Sequence, residues 1–241
     1  MLGAFLNTLG ILLGALAGLA WRSPLSGRAQ NYCKSALGAF TAFCGLQLLW
    51  MSLNGNLTSI LKQFFLAVLA VVLGNLIGKI LGLQKISNRL GRHASLLLVA
   101  AAKNPPGTSA NGFIAATILF SSAPLAFIGS ATDGLANYFF PLAVKGVMDG
   151  LAMMSFVKMF RWPVAFAAVP VFFFLNGLSL MVQLGARPWL EAHSLVNSVN
   201  AAAGLVVCAT ALVVLEVRRV ELANYLPALA VAPLLTWLLA R

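Results

Sequence analysis

The chain has 241 residues, 61% of them hydrophobic and 9% charged, whereas a soluble domain carries about 25% charged residues. With a mean hydropathy of +0.93, this is the composition of a multi-pass membrane protein, and it leaves no length for a separate soluble domain. The formal net charge of +11 does not indicate a nucleic-acid partner, because the basic residues fall in short links between apolar runs, where they act as orientation signals.

Eight apolar runs are long enough to cross a bilayer: 2–21, 36–53, 62–83, 112–132, 137–157, 163–184, 195–215 and 222–240. In lipid every backbone polar group must be satisfied within the segment, so each run is expected to be a helix. The first run starts at once, with no Lys or Arg before Arg22. It therefore lacks the charged n-region of a signal peptide and is expected to be a retained span, although the small residues at 15–17 resemble a cleavage site. With the N-terminus outside, 12 basic residues fall in the inner segments, and only Lys62, Arg187 and Arg241 fall outside. That asymmetry argues for N-out, C-out and an even number of spans. The expected fold is an all-α polytopic helix bundle forming one integral membrane domain, 1–241.

One link is long, 84–111. Its apolar segment 94–102 is too short to span and is expected to lie at the interface or on the bundle. The consecutive prolines within 103–107 end any helix there. Two runs carry glycine every fourth residue: Gly10, Gly14 and Gly18, then Gly74, Gly78 and Gly82. This spacing puts each set on one helix face, where helices can pack closely. A dimer face in a homo-oligomer, or a sliding surface, is the alternative use. There is also a faint internal echo. The segment 4–10 is similar to 173–179, and 65–74 to 225–234, in spans of opposite sense. That is the layout of a 3 + 2 + 3 inverted repeat, with spans four and five at its centre.

The residues that carry chemistry concentrate in that centre, between Ser121 and Gly150. Lys145 and Asp149 are four apart on one helix and share a face. Each alone costs about 2.5–3.5 kcal/mol at mid-membrane, so the pair reads either as a structural lock or as a binding site facing a wet cavity. Pro124 breaks the backbone pattern of span four. Ser121 and Ser122 beside it either satisfy the freed backbone groups or flank a broken helix that binds substrate. Gly129 and Ser130 keep the outer half of this span slim. Asp133 near its outer end is expected to be solvated, or to draw cations to a mouth. Among the amides, Asn176 reads as interhelical glue, and Asn7, Asn200 and Asn224 are also candidate cavity residues. His93 and His193 belong to no zinc pattern, and Cys33, Cys44 and Cys208 have no metal or disulfide spacing. With five acidic residues and no nucleophile elbow or phosphate-binding loop, neither an enzyme nor a cofactor is expected.

Several segments together carry a resemblance. They are Asn7 with the glycines of span one, LGNLIGK at 73–79, PLAFIGSATDGL at 124–135, LAVKGVMDG at 142–150 and NYLPALAVA at 224–232. On these the chain resembles, nearly end to end, the YqgA/YdfK-like family of bacterial multi-pass membrane proteins, domain of unknown function 554. The resemblance implies a bacterial cytoplasmic (inner) membrane location and a transport-like role, and it names no substrate. The chain departs from the family pattern at Lys79, where relatives often have an acid, and at 136–138, where they often have Gly-Asp. The functional expectation is a transporter or channel for a small solute or ion, with a non-transporting scaffold or accessory subunit as the alternative.

Overall fold

A computed structural model describes residues 1–21, 26–102 and 110–239, so Arg22, Lys103 and Arg241 lie outside the described residues. The helices are α1 (Leu2–Ala20), α2 (Gly27–Ser52), α3 (Leu57–Ile80), α4 (Leu83–Ala102), α5 (Ala110–Ser122), α6 (Pro124–Ala136), α7 (Phe140–Phe160), α8 (Ala168–Met181), α9 (Arg187–Ala192), α10 (Val196–Val214) and α11 (Ala228–Leu239). Tighter turns at Trp162–Ala167 and Leu222–Tyr225 lead into α8 and α11, and a wider π turn at Val182–Ala186 joins α8 to α9. All regular structure among the described residues is helical. Seven stretches among the described residues are long and apolar enough to cross a membrane, and the bent pair α5–α6 passes the same test only when its two halves are counted as one span.

Three features differ from the sequence reading. The link after span three is largely a helix. α4 runs for 20 residues, amphipathic rather than uniformly apolar, and packs along α5 with Ala94 and Ala101 buried. Span six does not stop at 184 but continues through the π turn and α9 to Ala192. Pro188 follows closely on the wider π turn, where the Arg187 N–H bonds the Val182 carbonyl five residues back. Gly82 belongs to no packing stripe. It has φ +66°, its N–H bonds the Lys79 carbonyl at 3.1 Å, and a Cβ there would meet only the Lys85 Cδ at 3.8 Å. It is the left-handed residue that terminates α3 and lets α4 turn away.

The bundle is held by three close pairings: α1 with α7, α2 with α10, and α3 with α11. Each depends on missing side chains. On α1, a Cβ at Gly10, Gly14 or Gly18 would strike the backbone of Gly146, Gly150 or Met154 on α7. On α2, Gly45 meets Gly204 and Cys208 of α10. On α3, Gly74 and Gly78 meet Ala228 and Asn224. α1 shows the logic plainly: its small residues and Asn7 face inward, while Phe5, Leu12, Leu13, Leu16 and Leu19 are exposed. Lipid solvates leucine as well as protein does, so helices associate through close backbone contact instead. The α1 glycines are thus occupied within the chain, which removes them as a dimer face.

Candidate functional site

α7 opens with Pro141 in its first turn and carries Lys145 and Asp149 one turn apart on the face toward α1. Each is followed directly by a glycine, Gly146 and Gly150. These glycines meet the α1 backbone. A Cβ on Gly146 would lie 2.8 Å from the Asn7 Cα, and one on Gly150 2.5 Å from the Gly10 carbonyl oxygen. The resulting approach lets a side chain as short as Asn7 reach across. Its Nδ2 donates to Asp149 Oδ2 at 3.0 Å, and Lys145 Nζ pairs with the same oxygen. The Phe120 ring of α5 lies 6.0 Å from Lys145 Nζ, within cation–π reach.

Asn7 is fully buried and Lys145 is 2% exposed, while the Asp149 side chain keeps 11% of its surface accessible. Asn7 Oδ1 has no partner among the described residues. The cluster is therefore a carboxylate held between an ammonium and an amide, with one spare carbonyl acceptor beside it. Chemically it can hold a proton or a cation on Asp149, provided Lys145 gives way or shares.

A second acid uses α1 differently. Asp133 on α6 is 1% exposed, not solvated as expected. Its Oδ2 accepts the Gly3 N–H at 3.2 Å and pairs with the Met1 ammonium at 2.9 Å. The first N–H groups of a helix lack intrahelical partners and carry its positive end, so a buried carboxylate is well placed there. Gly3 leaves little room for a side chain: a Cβ would lie 2.9 Å from Leu142 Cβ and 3.1 Å from Asp133 Oδ2. α1 thus bonds both acids of the central helices, through Gly3 and, one turn on, through Asn7.

Pro124 produces a real break. The residue before a proline is pushed away from helical geometry, and Ala123 is extended at ψ 134°. α5 and α6 meet there at 56°. Ser121 is half-buried beside the break, next in the chain to Phe120. Gly129 allows α6 to approach α7 at Leu142, where its Cβ would come within 2.8 Å.

The other amides do not converge on the cluster. Asn200 on α10 is buried, with its Oδ1 unpartnered among the described residues. Asn224 is not a cavity residue. Its Oδ1 accepts the Gln84 N–H at 3.0 Å and its Nδ2 donates to Glu221 Oε2 at 2.7 Å, tying the start of α4 to the turn before α11.

The chain matches the family described as protein of unknown function (DUF554) over residues 2–237. It belongs to that family. It is 22% identical to the uncharacterized membrane protein YdfK of Bacillus subtilis (strain 168) over 242 residues, covering 99% of this chain and 97% of the relative. It is 27% identical to the uncharacterized protein YqgA of Escherichia coli (strain K12) over 233 residues, covering 96% and 94%. No solved structure matches. With its spanning helices, the chain is a multi-pass bacterial membrane protein.

Sequence reasoning missed four participants. Phe120 looked like one apolar residue among many. Gly146 and Gly150 were readable, being four apart and each next to a charge. Tyr138 gave no signal at all: its hydroxyl donates to the Cys44 carbonyl at 2.7 Å and lies 3.1 Å from Gln47 Oε1, fastening the α6–α7 turn to α2.

Proposed function

We propose that the protein carries a small solute or ion across the inner membrane through a polar site of its central helices. Asp149 binds the coupling cation or proton, and Lys145 is its charge partner. One observation carries the reading: a carboxylate, an ammonium and an amide share one contact point between α1 and α7. An apolar pair would have packed there at no electrostatic cost, whereas each charge alone costs about 2.5–3.5 kcal/mol. The accessible edge of Asp149 and the unpartnered Asn7 Oδ1 support exchange at this point. The break at Ala123 supports a span that changes shape.

In this reading the N-terminus faces outward, as the distribution of basic residues favours. Spans one to three and six to eight form an inverted repeat around spans four and five. The pairing of α2 with α10 and of α3 with α11 supports it, since each joins a helix to its would-be counterpart. The reading involves no enzymatic step.

The test is flux of ions and metabolites into liposomes holding the purified protein, with Asp149→Asn in parallel. Flux abolished by the substitution is the expected result. No flux of any tested solute, together with a silent Asp149→Asn in cells, would sink the reading. A scaffold or accessory subunit is the second reading, favoured by the closure of the pair, with Lys145 only 2% exposed. It expects a stable protein partner in mild detergent and full function after both charges are replaced by apolar residues.

A further inference from the structure

The groove between α4 and α5, beside the helix break, has a different chemistry from the buried cluster. Its volume is about 550 Å³, and Ser87, Asn88, Arg92 and Ser95 of α4 line it opposite Ser122 of α5. No carboxylate is among its lining residues. All five acids of the chain are engaged elsewhere: Asp133 with the start of α1, Asp149 with Lys145, Glu191 with Arg187, Glu216 with Lys34, and Glu221 with Asn224. Among the described residues no acid pairs with the Arg92 guanidinium. Asn88 Oδ1 already accepts from Gln84 at 3.0 Å, which leaves its Nδ2 as a donor. The walls are fixed. Gln84 and Asn224 pin the start of α4, and α4 packs along α5.

We propose that this groove binds a phosphate-bearing anion, with Arg92 supplying the charge and Ser87, Asn88, Ser95 and Ser122 the hydrogen-bond donors. A guanidinium with nearby hydroxyl and amide donors matches a tetrahedral oxyanion, which offers acceptors only. The phosphate belongs either to an anionic lipid headgroup or to a free phosphate. The amphipathic character of α4, with Ile86, Leu90, Leu96 and Val99 exposed alongside Lys85 and Arg89, suits a helix lying at the headgroup level of a membrane.

The test is thermal unfolding of the full chain in neutral detergent with phosphatidylglycerol, phosphatidylcholine or inorganic phosphate added. Wild type is compared with Arg92→Gln, Gly91→Leu and Arg89→Gln. Gly91 lines the groove and a Cβ there meets nothing within 4 Å, so leucine is expected to occupy groove space and to improve helix propensity. Phosphatidylglycerol, and not phosphatidylcholine, is expected to raise the wild-type midpoint by several degrees. Arg92→Gln and Gly91→Leu each lose most of that shift, and Arg89→Gln keeps it. The same pattern with inorganic phosphate alone assigns the site to free phosphate, and its restriction to the lipid assigns it to a headgroup. If neither probe stabilises wild type, or if Arg89→Gln costs as much as Arg92→Gln while Gly91→Leu keeps the full shift, the groove is not a site.

Discussion

Two seams of this bundle solve the same packing problem with different chemistry. Along α1–α7 and along α2–α10, glycines bring two helix backbones into contact. In the α2–α10 seam the polar groups are uncharged, and its two buried threonines bond within their own helices, while Cys208 reaches the Ala42 carbonyl of α2 and the buried α10 amide Asn200 keeps an unpartnered Oδ1 among the described residues. Thr41 Oγ1 donates to the Leu37 carbonyl and Thr210 Oγ1 to the Val206 carbonyl. Around them lie Cys44, Leu48, Leu49 and Val207, all buried. The α1–α7 seam holds Asn7, Lys145 and Asp149 at comparable burial. Close packing alone therefore does not need the charges, because the second seam achieves it without them. The charges need another explanation, and binding is the one the geometry supports best.

The largest expected effect is shared by the two seams. Gly14→Leu and Gly45→Leu both drive a side chain into backbone, so both should cost more than the about 1–3 kcal/mol typical of overpacking. Yield and unfolding temperature in detergent check this. A well-tolerated leucine in either seam would break the comparison.

The next effect separates the seams. Asp149→Leu alone leaves the Lys145 ammonium buried and unpaired and should cost about 3–5 kcal/mol. Lys145→Met with Asp149→Leu should recover most of that stability, because an apolar pair of similar volume fits a packed site. A double variant no more stable than the single would mean that the pair holds the seam together. Gly82→Ala forces a left-handed residue to carry a Cβ that meets only the Lys85 Cδ, at about 1–2 kcal/mol, below any Gly14 substitution. Smaller losses are expected where one hydrogen bond is removed. Asn7→Leu and Tyr138→Phe should each cost about 1 kcal/mol, measured by the same unfolding assay.

Much of this was legible in the sequence, for physical reasons. Spans are set by bilayer thickness, so apolar length alone located the seven spanning stretches and the bent pair that Pro124 breaks. The cost of ionisable groups in lipid drew attention to Lys145 and Asp149 before any contact was known. What stayed hidden depends on which residues face each other across the chain. Asn7 was one amide among four until α1 met α7. Asp133 looked exposed because its position near a helix end says nothing of another helix arriving there with free N–H groups. Gly82 shares the four-residue spacing of Gly74 and Gly78, and only its backbone conformation reveals a helix stop. α4 was under-read because it is amphipathic, and a search for uniformly apolar runs passes over such a helix.

The most direct test of the central claim is thermal unfolding of wild type and of the Lys145→Met, Asp149→Leu double variant, across a panel of ions and metabolites at two pH values. The account predicts that the ligand-free double variant unfolds near the wild-type temperature, and that at least one ligand stabilises wild type and not the variant. A double variant that fails to fold would contradict it by making the charges a structural lock, and a wild type that no ligand stabilises would contradict it in favour of the scaffold reading.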